Sequence, residues 1–201
     1  AIVGAFGDDA AYVFTRSGTG WTLQATLTAA DGAAGDRFGR AVAISGDTIV
    51  VTAPYDTVGA NVQQGSAYVF TRSGTTWSQQ AKLTAADGEA LEWFGMSGAA
   101  IESDTVVIGS DYADDGGQED EGAVYVFTRS GAAWSQQAKL IAPDLSSGAH
   151  LGLSVALSGD TVMERRNPGK GGRTLREAFA AFLAERDLKP RSRYDYGRVM
   201  A

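Results

Sequence analysis

The sequence predicts an all-β protein, an incomplete β-propeller of four-stranded antiparallel blades followed by a short α-helical tail. Three observations predict it. One phrase recurs as Tyr12 to Gly18, Tyr68 to Gly74 and Tyr125 to Gly131, at intervals of 56 and 57 residues. Each copy stands among strand-like runs punctuated by turn signals. After Met163 the pattern is lost, and a helical periodicity follows. A fixed period of this length is the signature of stacked repeats or propeller blades.

Other landmarks keep the same two intervals: Trp21, Trp77 and Trp134; Phe38-Gly39, Phe94-Gly95 and Leu151-Gly152; Asp31, Asp87 and Asp144. One unit reads most clearly from Phe38 to Leu83. Arg40 to Ile44 enters the tight turn Ser45-Gly46-Asp47 and returns as Thr48 to Ala53, a hairpin signal. A longer loop, Pro54 to Gly65, reaches Ser66 to Arg72, and Ser73 to Thr76 turns the chain back through Trp77 to Leu83. The middle two strands are apolar and β-branched, as strands covered on both faces are. The last strand alternates, with Trp77, Ala81 and Leu83 expected on one face and Ser78, Gln80 and Lys82 on the other. It reads as a half-exposed outer strand. Small residues in the first strand and polar ones in the last suit a blade that tapers toward a central channel. A β-solenoid is the competing arrangement, although its rungs are usually shorter than this unit.

At 201 residues and 44% hydrophobic the chain can bury a sizeable core, and 26 Gly suit a turn-rich β protein. Cysteine is absent, which removes disulfides, thiolate metal sites and thiol nucleophiles. His150 is the single histidine and reads as a loop residue, so no multi-His metal site can be assembled. No apolar run approaches the roughly 18 to 20 residues needed to span a bilayer. The chain opens at Ala1 part-way into a repeat, without a basic segment and apolar run of signal type, so a cut N-terminus is expected. Charge is uneven. Residues 1 to 163 carry 7 Lys/Arg against 19 Asp/Glu, a net −12; residues 164 to 201 carry 10 against 5, a net +5. The acidic part should repel nucleic acid and attract cations.

The Phe-Gly at 38 and 94, the Ala-rich strand that follows, Thr48 to Pro54 and the Gly-x-x-Tyr-Val-Phe at 65 to 70 resemble FG-GAP repeats, the units of integrin α-subunit propellers and of many bacterial surface and secreted proteins. The resemblance covers residues 1 to 162. It implies a non-catalytic binding or adhesion module with a protein or glycan ligand, at an extracellular or bacterial cell-surface location. Family propellers typically close with seven blades, whereas this stretch holds a partial unit, two complete ones and the start of a fourth. Open blade faces then imply self-association.

The acidic loop from Asp111 to Glu121 is the best candidate for chemistry. Oxygen-rich loops with a glycine at the bend suit Ca²⁺, which takes six to eight hard oxygen ligands, and Asp111, Asp114 and Asp115 precede Gly116. Integrin-type repeats place an Asp-x-Asp-x-Asp-Gly loop here; this loop departs from that alternation, and the equivalent loop at 54 to 65 keeps only Asp56. The alternative is a solvated acidic loop. Asp47, Asp104 and Asp160 occupy turns, where a short polar side chain stabilises the bend. The three repeated Trp could stack on sugars, but their fixed strand position points to packing between blades.

Residues 163 to 173 read as a linker. Thr174-Leu175-Arg176-Glu177 then forms a capping box, and Leu175, Ala178, Phe179, Phe182 and Leu183 recur at helical spacing, so a helix is expected over 175 to 186. With the turn Leu188-Lys189-Pro190-Arg191-Ser192-Arg193-Tyr194-Asp195-Tyr196, residues 174 to 201 resemble the start of the core-binding domain of tyrosine recombinases. Catalytic residues of that family lie downstream, so neither Tyr194 nor Tyr196 is assigned as a nucleophile. The alternative function is accordingly a DNA-binding piece of a site-specific recombinase joined to a propeller remnant, contacting nucleic acid through this basic tail. The first reading, a binding module with no enzymatic activity and no cofactor other than Ca²⁺, has the greater weight of residues behind it.

Overall fold

A computed structural model describes residues 1–114, 120–142 and 147–157. Among these residues there are eleven strands and no helix, in three antiparallel sheets. The first blade is the meander β1 (Ile2–Ala5), β2 (Ala10–Ser17) and β3 (Gly20–Leu27). The second runs β4 (Val42–Ser45), β5 (Thr48–Ala53), β6 (Ser66–Ser73) and β7 (Thr76–Leu83). The third repeats it as β8 (Ala99–Glu102), β9 (Thr105–Ser110), β10 (Ala123–Ser130) and β11 (Ala133–Leu140). Leu151, in the fourth unit, forms a parallel bridge to Gly122. Separate four-stranded meanders are blades of an incomplete propeller; a solenoid would pair strands of successive units into continuous parallel sheets. The helix expected over 175 to 186, the linker and the basic tail lie outside the described residues.

The middle strands behave as their composition requires. Every residue of β5 and β9 is buried, as are the first five of β6. The outer strand differs from its expected alternation. In all three blades its register shifts by one residue, between Val13 and Phe14, Val69 and Phe70, and Val126 and Phe127. A bulge of this kind puts two residues opposite one and resets the facing of everything beyond it. Thus Trp77 packs on the cluster shared with the first blade, whereas Ala81 and Leu83 belong to the cluster shared with the third. The expectation that these three share a face is corrected by the bulge, which a period-two count does not register.

The core lies between blades. One cluster combines Ala11, Val13 and Leu27 of the first blade with Phe38, Ile49, Val51, Tyr68 and Phe70 of the second. Its copy combines Val50, Val69 and Leu83 with Phe94, Val106, Ile108, Tyr125 and Phe127 of the third. The two blade junctions are thus built alike. Phe38 stands edge-on to Tyr68 and Phe70 at 5.6 and 6.0 Å, and Phe94 does the same to Tyr125 and Phe127 at 5.4 and 6.0 Å. Burying each ring contributes about 1.5–3 kcal/mol, and each edge-on pair roughly 0.5–1.5 more.

Polar groups on the outer strands close the same junctions. Trp77 Nε1 donates to Gln24 Oε1 at 3.0 Å, and Trp134 Nε1 to Gln80 Oε1 at 2.9 Å. In return Gln79 Oε1 accepts from the amide of Ala30, and Gln136 Oε1 from that of Ala86, both at 2.9 Å. The packing role expected for the repeated Trp therefore holds at 77 and 134. Trp21 is 54% exposed.

Candidate functional site

The end of the blades that carries residues 54–65, 111–114 and 120–122 and the connections between blades is built around the Phe-Gly pairs. Gly39 has φ +93°, its amide donates to the Thr52 carbonyl of its own blade at 3.0 Å, and its Cα lies against the first blade. A Cβ there would stand 2.3 Å from the Ala10 carbonyl oxygen. Only glycine allows that backbone approach. The aromatic partner of the pair fills the blade's core while the glycine presses on its neighbour.

Preceding each pair is a residue with positive φ that is not glycine: Arg37 at +59°, Trp93 at +49° and His150 at +53°. Such conformations cost of order 1–3 kcal/mol each and are kept only where surrounding contacts fix them. Here the contacts are planar. Arg37 lies over Tyr55 with its Cζ 4.3 Å from the ring centroid, Trp93 stands between Tyr55 and Tyr112 at 5.9 and 4.6 Å, and His150 meets Tyr112 at 5.0 Å. A ladder of planar groups, meeting edge-on or tilted at its ring pairs, thus crosses from the second blade to the fourth unit. All five of its members are half-buried.

Sequence reasoning assigns no role to Arg37 or Trp93 and sees His150 as a loop residue only. The signal lies in their spacing, since 37, 93 and 150 keep the repeat intervals and all carry a planar side chain. His150 Nδ1 is 2.9 Å from the Asp111 carbonyl, which makes Nδ1 the protonated nitrogen.

Of the proposed calcium ligands, Asp111 and Asp114 are described and Asp115 is not. Asp111 is buried, and its Oδ1 accepts from Ser97 Oγ at 2.6 Å. Asp114 is exposed, and its Oδ1 accepts from the Asp120 amide at 2.9 Å. Both carboxylates already hold protein donors, and two of them supply too few oxygens for calcium by themselves. Among the described residues no group of three or more His, Cys, Asp or Glu is placed to hold a metal ion. Asp56, the lone carboxylate of the equivalent loop, is buried and accepts from Tyr68 Oη at 3.2 Å and Lys82 Nζ at 2.7 Å.

Lys82 also meets Asp31, from the connection between blades, at 2.7 Å. Lys139 and Asp87 repeat this pair at 2.8 Å. Burial pushes the Asp31 and Asp87 carboxyls up, yet the lysine beside each, with help from a tyrosine hydroxyl and the backbone, holds both below the usual carboxylate range. Burial lowers Lys82, but Asp31, Asp56 and Tyr68 together raise it above an ordinary lysine. The Tyr68 phenol, mainly through burial, is pushed up to about 12. Asp36 and its counterpart Glu92 are raised, first by burial; Asp56 and Asp9 add to it at Asp36, and Asp87 at Glu92. The turn aspartates act as tethers: Arg72 bonds Asp47 through Nε at 2.7 Å and through Nη2, and Arg129 bonds Asp104 at 2.8 and 2.7 Å. Asp160 lies outside the described residues.

Repeated blades joined by Phe-Gly contacts define a propeller-type repeat protein. The sequence profile of the FG-GAP repeat family matches residues 21–70, 77–127 and 134–163, and the chain belongs to that family. No curated protein matches it.

Proposed function

We propose that this chain serves as a non-catalytic binding module of the adhesion type, part of an extracellular or bacterial cell-surface protein, that holds a protein or glycan ligand at the loop end of its blades. The observation that carries the reading is the half-buried ladder from Arg37 to His150. Residues at positive φ and half-buried aromatic side chains concentrate there, on a β scaffold, as they do at ligand-binding loops. Membership of the FG-GAP repeat family supports the same class. Beads coated with the chain should be retained on layers of cultured or bacterial cells, with at least a tenfold loss for Trp93→Ala. Absence of retention on every surface tried would overturn the reading.

Calcium at Asp111, Asp114 and Asp115 is proposed as a stabiliser of the acidic loop, resting on the carboxylate pattern of that loop. A ligand that binds only the folded state raises its melting temperature. Millimolar Ca²⁺ should therefore raise the unfolding midpoint relative to chelator, and Asp111→Asn with Asp114→Asn should remove the difference. Coincident melting curves with and without the ion set this site aside.

A further inference from the structure

Residues 1 to 163 hold 7 Lys or Arg. Five of them bond an oxygen: Arg16 the Gly18 carbonyl, Arg72 Asp47, Lys82 Asp31 and Asp56, Arg129 Asp104, and Lys139 Asp87. Arg37 and Arg40 meet rings instead. The Arg37 Cζ is 4.3 Å from the Tyr55 centroid and 5.8 Å from that of Phe6, and the Arg40 Cζ is 5.6 Å from Phe6. Neither side chain has an oxygen acceptor among the described residues. Two guanidinium groups thus share one ring, with no counter-charge in contact to offset their repulsion.

The backbone requires neither of them. The Arg40 amide closes a turn onto the Arg37 carbonyl at 3.1 Å, and the same turn closes from Met96 to Trp93 at 2.9 Å and from Leu153 to His150 at 3.2 Å. Nor does a loop cover the pair. Residues 54–65, between β5 and β6, lie on the connection to the third blade, where the Val62 carbonyl accepts from the Leu91 amide and Asn61 bonds Gly88. Residues 6–9, between β1 and β2, are shorter, and Asp9 reaches the connection to the second blade by accepting from the Gly35 and Phe38 amides at 2.8 and 3.1 Å. Phe6 is 45% exposed, Arg40 is exposed, and a Cβ on Gly7 or Gly35 would meet nothing within 4 Å. Open space therefore adjoins Phe6 and the two guanidinium groups.

A guanidinium fork matches a carboxylate, and an exposed aromatic ring offers an apolar face to the body that carries it. Both arginines spring from one four-residue turn, so the site is the size of one ring and not of an extended segment. Carboxylates stand nearby: Asp9 and Asp36 already accept amides of the connection, and Asp8 is exposed. Their charge, with the net −12 of residues 1 to 163, opposes a densely charged polyanion and leaves recognition to contact with a single carboxylate. We propose that Phe6, Arg37 and Arg40 form a subsite for a uronic acid residue of a glycan, whose carboxylate bridges the two guanidinium groups while its pyranose ring lies against Phe6. This rests on the binding-module reading and names the ligand class for it.

The test passes the full chain, at about 0.15 M salt to screen distant charges, over immobilised trigalacturonate, its methyl ester, heparin and triglutamate. Trigalacturonate should retain the chain at least fivefold more than any of the others. Arg40→Met, the residue type that the same turn carries at Met96, should bring retention down to that of the ester with an unchanged melting temperature, while Arg16→Met should change nothing. A fall in melting temperature for Arg40→Met would assign Arg40 to the fold and overturn the proposal. Equal retention on the ester, retention on none, or retention indifferent to Arg40→Met would each overturn it too. Strongest retention on triglutamate would overturn it in favour of an acidic protein segment, and on heparin in favour of a sulfated polyanion. In all these cases cell-surface adhesion of the coated beads, if it persists, leaves the binding-module reading standing, and only its loss removes both.

Discussion

Lys82 reaches across a blade junction to Asp31 while its other partner, Asp56, belongs to its own blade. The signs of the shifts fix how this cluster responds to pH. Asp31 and Asp87 lie below the usual range, so their contribution to stability is present above the unfolded value of about 4 and is lost as pH falls through the lower folded values. Lys82 is raised, so its contribution is complete below the unfolded value of about 10.4 and is lost as pH rises through the folded one. Asp36 and Glu92 are raised; their contribution favours the acid side, is lost as pH rises through their folded values, and partly offsets the first pair. Melting temperature should therefore fall from about pH 5 downward. A variant with Asp31→Asn and Asp87→Asn should melt lower at pH 7 and show a shallower acid limb. Parallel melting curves for the two proteins across this range would show that these pairs do not set acid stability.

At the scale of the element, two devices shape each blade: the bulge in the outer strand and the Phe-Gly contact. The bulge lets one strand serve two interfaces, sending Trp77 and Gln79 toward the preceding blade and Gln80, Ala81 and Leu83 toward the next. The Phe-Gly contact sets blade spacing through backbone approach. For Gly39→Ala, strain of about 1–3 kcal/mol at positive φ adds to an overpacking cost of about 1–3 kcal/mol. Its expected destabilisation is roughly 3 kcal/mol or more by denaturant titration. Gly74 also has positive φ, at +62°, but a Cβ there meets nothing within 4 Å. Gly74→Ala should cost only about 1 kcal/mol, the strain alone. Equal losses at the two positions would show that close approach does not matter.

For the molecule as a whole, stability is a sum over blades and junctions, as in repeat proteins generally. The first blade presents Trp21, Leu23 and Val3 at 54, 55 and 51% exposure, and Trp21 is the counterpart of the residues that reach back to Gln24 and Gln80. Association through this face is expected. Sedimentation of the chain should depend on concentration, and Trp21→Glu should suppress the dependence; a monomer at every concentration would count against an adhesive blade face.

Period, strand order, turn positions and the family were legible in the sequence, because each follows from short-range chemistry: β-branched runs, Gly-Asp turns and a phrase repeated at 56 and 57 residues. Asp47 and Asp104 could be placed in turns for the same reason. Their arginine partners could not, because Arg72 and Arg129 lie 25 residues further along the chain. The sequence by itself determined what each blade is made of. Tertiary structure alone decided which face each outer-strand residue takes, since one bulged residue inverts a period-two count. It also decided that Arg37, Trp93 and His150 join one ladder of ring contacts with Tyr55 and Tyr112, because residues a repeat apart become neighbours only when blades pack side by side.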